Sequence, residues 1–357
     1  MRSSIPIRNI YYLLSYAWDS SALLGNRRLA AENSPSVIDL LARLFAGGVA
    51  ALRRPGLDRS YREMHSELAL IRGKPDFAES NKRLSRLRAR IVCRYEELDP
   101  DILHNRILKS TLERLLVCKG LSAESRRSLH LPREILQQIS PVALDLNVFH
   151  RVQLHRNNRH YRLLLNVCEL LWKQMIPSEA SGQFVFRDFI ESEAVMSTIF
   201  EKFVFNFSVR HFPEAKTTAE WISWDGEAMD EPSRALLPSM KTDLSVDWPS
   251  RKLILDCKFY KAALSGRWSE KLEAENLYQI FAYLKNKSVT PGWSGCNGVL
   301  LYPTVDRAFD CRYKLSGHVV RVVTLDLNRP WQVIEQDLLS ILSGQPTHSN
   351  EGVGVSP

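Results

Sequence analysis

At 357 residues, 45% hydrophobic and 25% charged, the chain has a globular composition and exceeds the roughly 100–200 residues of one ordinary core. That excludes fibrous and wholly disordered classes and favours two domains. The net charge of +8 is uneven, because residues 1–180 carry 29 Lys and Arg against 18 Asp and Glu while the remainder carries 19 against 22.

In chain order, Pro35 to Arg54 places Val37, Leu40, Leu41, Leu44, Phe45, Val49 and Leu52 on one helical face. Glu67 to Ile71 and Arg90 to Arg94 are short strand candidates, with Arg83, Arg86, Arg88, Arg90 and Arg94 clustered around the second. Arginine's planar fork suits phosphate, so a polyanionic partner fits this region, although a merely soluble basic surface fits it equally. Asp101 is placed to cap a helix striped by Ile107, Leu108, Leu112 and Leu115, and a third helix runs from about His160 to Met175. Ile176-Pro177-Ser178 up to Gly182 has linker chemistry and coincides with the change in charge. The expected domains are therefore 1–180, basic, mostly helical with some strand (α+β), and 181–344, with a polar tail over 345–357.

The second half alternates helix and strand. A helix capped by Ser192 carries Met196, Phe200, Phe203 and Phe207. Strands are expected over Lys241 to Trp248 and Lys252 to Tyr260, then a helix from about Lys271 to Lys285. Strands over Gly298 to Tyr302 and His318 to Leu325 precede a last helix from Pro330 to Gly344. This order predicts an α/β domain, a mixed sheet flanked by helices. No run of about 18 uncharged apolar residues exists, and Arg2 with Ile5-Pro6-Ile7-Arg8 lacks the apolar core of a secretory leader. Six scattered cysteines form no Cys-x-x-Cys pair, so reduced thiols in a cytoplasmic protein are expected.

Chemistry concentrates at Asp243 and at Asp256-Cys257-Lys258. Side chains alternate along a strand, so Asp256 and Lys258 share one face. A turn at Pro249-Ser250-Arg251 brings Asp243 onto the neighbouring strand. Facing carboxylates repel unless a divalent cation lies between them, so Asp243, Asp256 and the Cys257 carbonyl form a candidate Mg²⁺ site, to which Glu201 could add a carboxylate. Oxygen ligands suit Mn²⁺ as well. This is the arrangement of the PD-(D/E)xK nucleases, but an inert surface Asp–Lys pair accounts for Asp-x-Lys alone. Asn276, Gln279 and Tyr283 share a helix face, and Gln279 with Tyr283 matches the Gln-x-x-x-Tyr element of RecB-like nucleases, with DNA contact as the expected role.

The opening Ile5-Pro6-Ile7-Arg8-Asn9-Ile10-Tyr11-Tyr12-Leu13-Leu14-Ser15-Tyr16-Ala17-Trp18 resembles the signature of the McrC family. The resemblance continues through Ile71-Arg72-Gly73-Lys74, His104 to Leu112, the Asp243/Asp256/Lys258 block with Phe259-Tyr260-Lys261, Asn276-Leu277-Tyr278-Gln279 and Leu301-Tyr302-Pro303. It implies the nuclease subunit of the 5-methylcytosine restriction system McrBC, with Asp243, Asp256 and Lys258 cutting double-stranded DNA with Mg²⁺. It also implies a partner, the GTP-hydrolysing AAA+ hexamer McrB, into which the basic first domain would dock and whose GTPase it would stimulate. Arg72-Gly73-Lys74-Pro75 lacks the first glycine and the hydroxyl of a phosphate-cradling loop, so no motor of its own is expected. A non-catalytic DNA- and partner-binding adaptor and a stand-alone RecB-like nuclease remain open beside this reading.

Overall fold

A computed structural model describes residues 5–19, 34–178, 183–259, 273–304 and 309–347. The packing divides the chain into two compact units, 35–187 and a second formed by 1–34 together with 188–357. This differs from the expected division at 180, because the first helix belongs to the later unit. Helix α1, Ile7–Ala17, is almost wholly buried. Its Tyr12 ring stacks on Trp331 at 4.5 Å, and Asn9 donates to the carbonyls of Leu327 and Arg329 at 2.7 and 2.8 Å. Asn9 in the opening signature is thus a core clamp.

Helix α2, Glu193–His211, packs beside α1 and turns Met196, Phe200, Phe203 and Phe207 inward. Ser192 sits at its N-cap position without donating or accepting a side-chain capping bond, unlike the expectation. Among the described residues six strands form one mixed sheet: β1 Lys216–Thr218, β2 Leu244–Asp247, β3 Lys252–Cys257, β4 Asn297–Thr304, β5 Asp310–Leu315 and β6 His318–Asp326, in the order β5-β6-β4-β3-β2-β1. The centre is parallel, β3 with β4 and β4 with β6, and the outer pairings are antiparallel. Central strands are buried on both faces, which is why Leu253-Ile254-Leu255 and Val299-Leu300-Leu301 read as unbroken apolar runs.

Helix α3, Ala274–Lys287, stands between β3 and β4 in sequence and packs on both. A Cβ on Gly298 would meet Leu284 at 2.9 Å and Ile280 at 3.0 Å, so glycine lets the helix lie close to β4. Helix α4, Trp331–Ser343, ends at Gly344 in the left-handed conformation. The expected Lys241 to Trp248 strand is broken by a bend at Asp243, and Met240–Lys241 instead pairs with Trp221–Ile222. Tyr260 and Lys261 of the expected block, and the tail from 348, lie outside the described residues.

The 35–187 unit is built on helices Val37–Ala51, Leu103–Leu116 and Tyr161–Gln174. Asp101 does not cap the second of these. Its carboxylate grips Arg106 at 2.7 and 2.9 Å and accepts from the Ser140 amide at 2.9 Å, leaving Ile102 at the cap position. The conspicuous His104-Asn105 pair serves a buried network, in which Asn105 donates to the carbonyls of Asp58 and Pro100 and accepts from the Tyr161 hydroxyl. From this body runs an antiparallel ribbon, Ser60–Leu68 with Ile91–Asp99. Gly73 sits at φ +66°, and a Cβ there would lie 2.4 Å from the Arg94 carbonyl, so the Arg72-Gly73-Lys74 landmark marks a turn only glycine fits.

Candidate active site

The sheet register does most of the assembly. Leu244 pairs with Leu255, so the preceding Asp243 falls opposite Asp256, with the bend at Asp243 just outside the strand. Asp243 Oδ2 accepts from the Cys257 amide at 2.8 Å, which anchors that carboxylate to the next strand. Lys258 continues the β3 ladder by donating its amide to the Leu301 carbonyl at 2.9 Å. Its side chain then lies on the Asp256 face, with Nζ 2.7 Å from Asp256 Oδ2. All three groups meet at the carboxyl end of a parallel pair.

The electrostatics of this corner are strained. Asp256 is 2% exposed, and burial raises its pKa despite the opposing pull of Lys258, with Glu201 raising it further. Asp243 is pushed up to about 7, first by burial and then by the charge of Asp256, and only partly relieved by the Cys257 amide. Glu201 adds to this repulsion from α2, where its carboxylate is held by the Ser197 hydroxyl at 2.8 Å. Three acids thus face one ammonium, an excess of negative charge that a cation would offset. The donors are hard oxygens, which fit Mg²⁺ or Mn²⁺. Among the described residues no three His, Cys, Asp or Glu groups form a ready-made cage. Two carboxylates and a carbonyl leave room for waters, as Mg²⁺ prefers.

Helix α3 supplies the rest. Lys258 Nζ donates to Gln279 Oε1 at 2.6 Å, and Gln279 Nε2 donates to the Tyr283 hydroxyl at 2.6 Å. Tyr283 is only 5% exposed. Burial of that kind does not suit the DNA contact expected of it, and the pair instead holds the ammonium in place. One turn earlier, Asn276 donates to the hydroxyl of Tyr302 on β4 at 3.0 Å, both residues being buried. Ser197 and Tyr302 were not among the expected site residues. Ser197 stands one helical turn before Glu201, a spacing from which its role is readable.

A family model described as "McrBC 5-methylcytosine restriction system component" matches residues 7–303. The chain belongs to this family. It is 33% identical over 338 residues to the Escherichia coli K12 "Type IV methyl-directed restriction enzyme EcoKMcrBC", covering 94% of this chain and 97% of the relative. Its fold is similar to a chain in a refined half-complex from a tetradecameric assembly of Thermococcus gammatolerans McrB AAA+ hexamers with bound McrC. The TM-score is 0.60 at 20% identity, over 95% of this chain and 76% of the other. The McrBC family match thus runs through both packing units and ends within β4, just past Tyr302, so it takes in every residue of the corner described above.

Proposed function

We propose that the protein is the McrC-type nuclease subunit of a modified-cytosine restriction system, with a PD-(D/E)xK centre at Asp243, Asp256 and Lys258. The observation that carries this reading is the meeting of two facing carboxylates and a positioned ammonium at the carboxyl end of β3. The relative's description as a methyl-directed restriction enzyme supports the substrate. The likeness to an assembly of McrB AAA+ hexamers with bound McrC supports the partner, a McrB-like GTPase.

In this mechanism Asp243, Asp256 and the Cys257 carbonyl would hold a divalent cation, and Glu201 would add its negative charge to theirs. Such a cation supplies a more acidic bound water and offsets charge on the phosphodiester. Lys258 presents its ammonium to the phosphate oxygens, and Gln279, tied to Tyr283, gives the amine a second acceptor beside Asp256.

The test is cleavage of cytosine-methylated plasmid by the chain reconstituted with a McrB-type GTPase, GTP and Mg²⁺. Asp256→Ala and Lys258→Ala should each lower the rate about 100-fold or more, the scale of losing a positioned acid–base or electrostatic group. Wild-type cutting by both variants would leave a non-catalytic adaptor. Cutting by the chain with Mg²⁺ alone would favour a stand-alone nuclease.

A further inference from the structure

Between Asp145 and Glu169 the chain has no acidic residue, yet it carries Arg151, Arg156, Arg159 and Arg162 with His150, His155 and His160. All seven are exposed. Among the described residues none of the four arginines enters an ion pair, whereas Arg62, Arg72, Arg83, Arg88 and Arg94 on and around the ribbon do, with Arg86 and Arg90 as the unpaired members of that cluster. The loop presents this charge from a fixed turn. Asn158, 3% exposed, accepts from the His155 amide at 2.7 Å and donates to Asp58 Oδ2 at 2.9 Å. Its own carbonyl accepts from the Tyr161 amide at 2.9 Å, which leads the loop into the start of helix Tyr161–Gln174. The positive end of that helix adds to the field of the arginines. Asp58, the acid at the base of the loop, is already engaged by Asn158 and His104.

What kind of partner suits this surface follows from what it lacks. No large hydrophobic side chain between residues 147 and 175 is exposed. Stable protein partners want a desolvated apolar or aromatic centre, whereas nucleic-acid interfaces are polar, wet and strongly positive. The ribbon and the turns beside it form the contrast, with Tyr61, Ile71, Phe77, Leu84 and Leu87 all more than half exposed among the charges.

We propose that the 150–162 loop, on the 35–187 unit, is a nucleic-acid backbone surface that grips DNA phosphates. The proposal takes its choice of DNA from the nuclease reading, but it is measured by binding alone, in EDTA, so its failure is distinct from failure of that reading. The experiment is fluorescence anisotropy of the full chain with a labelled 30-base-pair duplex over a range of NaCl concentrations. Each lost phosphate contact lowers the log–log salt slope by about 0.9, so Arg156→Gln with Arg159→Gln should flatten it by about 1.8. Affinity at low salt should fall at least about tenfold, while Arg83→Gln with Arg88→Gln, both already held in ion pairs, leaves both quantities near wild type. Wild-type affinity and slope in a folded Arg156/Arg159 variant overturn the proposal. So does a result in which binding follows Arg83 and Arg88 instead.

Discussion

Lys258 shows how much a single residue depends on its neighbours. An ammonium beside a buried carboxylate forms a closed ion pair with little left for a substrate. Gln279 offers it a second, uncharged acceptor, so the amine is shared between Asp256 and α3. Asp243 carries the opposite problem, an acid whose charged form is disfavoured in the folded chain. Its pKa is raised to about 7 by burial and by Asp256, so the folded state binds this proton at pH values where the unfolded state, near 3.9, has released it. The contribution to metal-free stability is therefore present below about pH 4 and lost as pH rises towards 7. In EDTA, wild-type melting should fall by several degrees from pH 5 to 8 relative to Asp243→Asn. Mg²⁺ should restore wild type at pH 8 and act less on the variant. Parallel melting curves of the two proteins would show that the carboxylate bears no such penalty.

At the scale of elements, α1 shows the clearest dependence on distant sequence. Its Asn9 spends two hydrogen bonds on the Leu327 and Arg329 carbonyls, which lead into α4. Leaving buried acceptors unpaired costs about 1–3 kcal/mol each, so Asn9→Ala should destabilise the 188–357 unit by about 2–4 kcal/mol. Hydrogen exchange should show faster exchange in α1 and α4 and little change in helix Val37–Ala51; unchanged protection of α4 would disprove the clamp. Such a contact spans more than three hundred residues, and no local pattern announces it. The charge shift near 180 is local, which is why it drew a boundary that packing does not follow. Periodicity did reveal α2, α3 and α4 of the later unit and the apolar central strands, whereas α1 stood in the sequence only as a signature. Edge strand β5, Asp-Cys-Arg-Tyr-Lys-Leu, and the polar stretches 60–66 and 95–99 of the ribbon escaped it, because half-solvated strands lack a continuous apolar signal. At the site, strand alternation was enough to join Asp256 and Lys258. It could not reveal the bend at Asp243 or the direction of Gln279, which depend on the Cys257 amide and on the ammonium itself.

Across the whole molecule, the acids and the basic surfaces reside in different packing units. Asp243, Asp256 and Lys258 belong to the unit containing 188–357, whereas the ribbon and the 150–162 loop belong to 35–187. Asp243 keeps its carboxylate within the β2–β3 corner, and an amide of the same shape can still accept from the Cys257 amide, so Asp243→Asn removes charge without removing the anchor. With a McrB-type partner, this variant should therefore lose plasmid cleavage by about 100-fold or more while stimulating GTP hydrolysis to within about twofold of wild type, because additivity holds for sites without shared contacts. Parallel assays of phosphate release and linearised plasmid measure the two outputs in one reaction. If folded Asp243→Asn loses both, the charge at the sheet edge is coupled to partner stimulation, and the two packing units do not act independently.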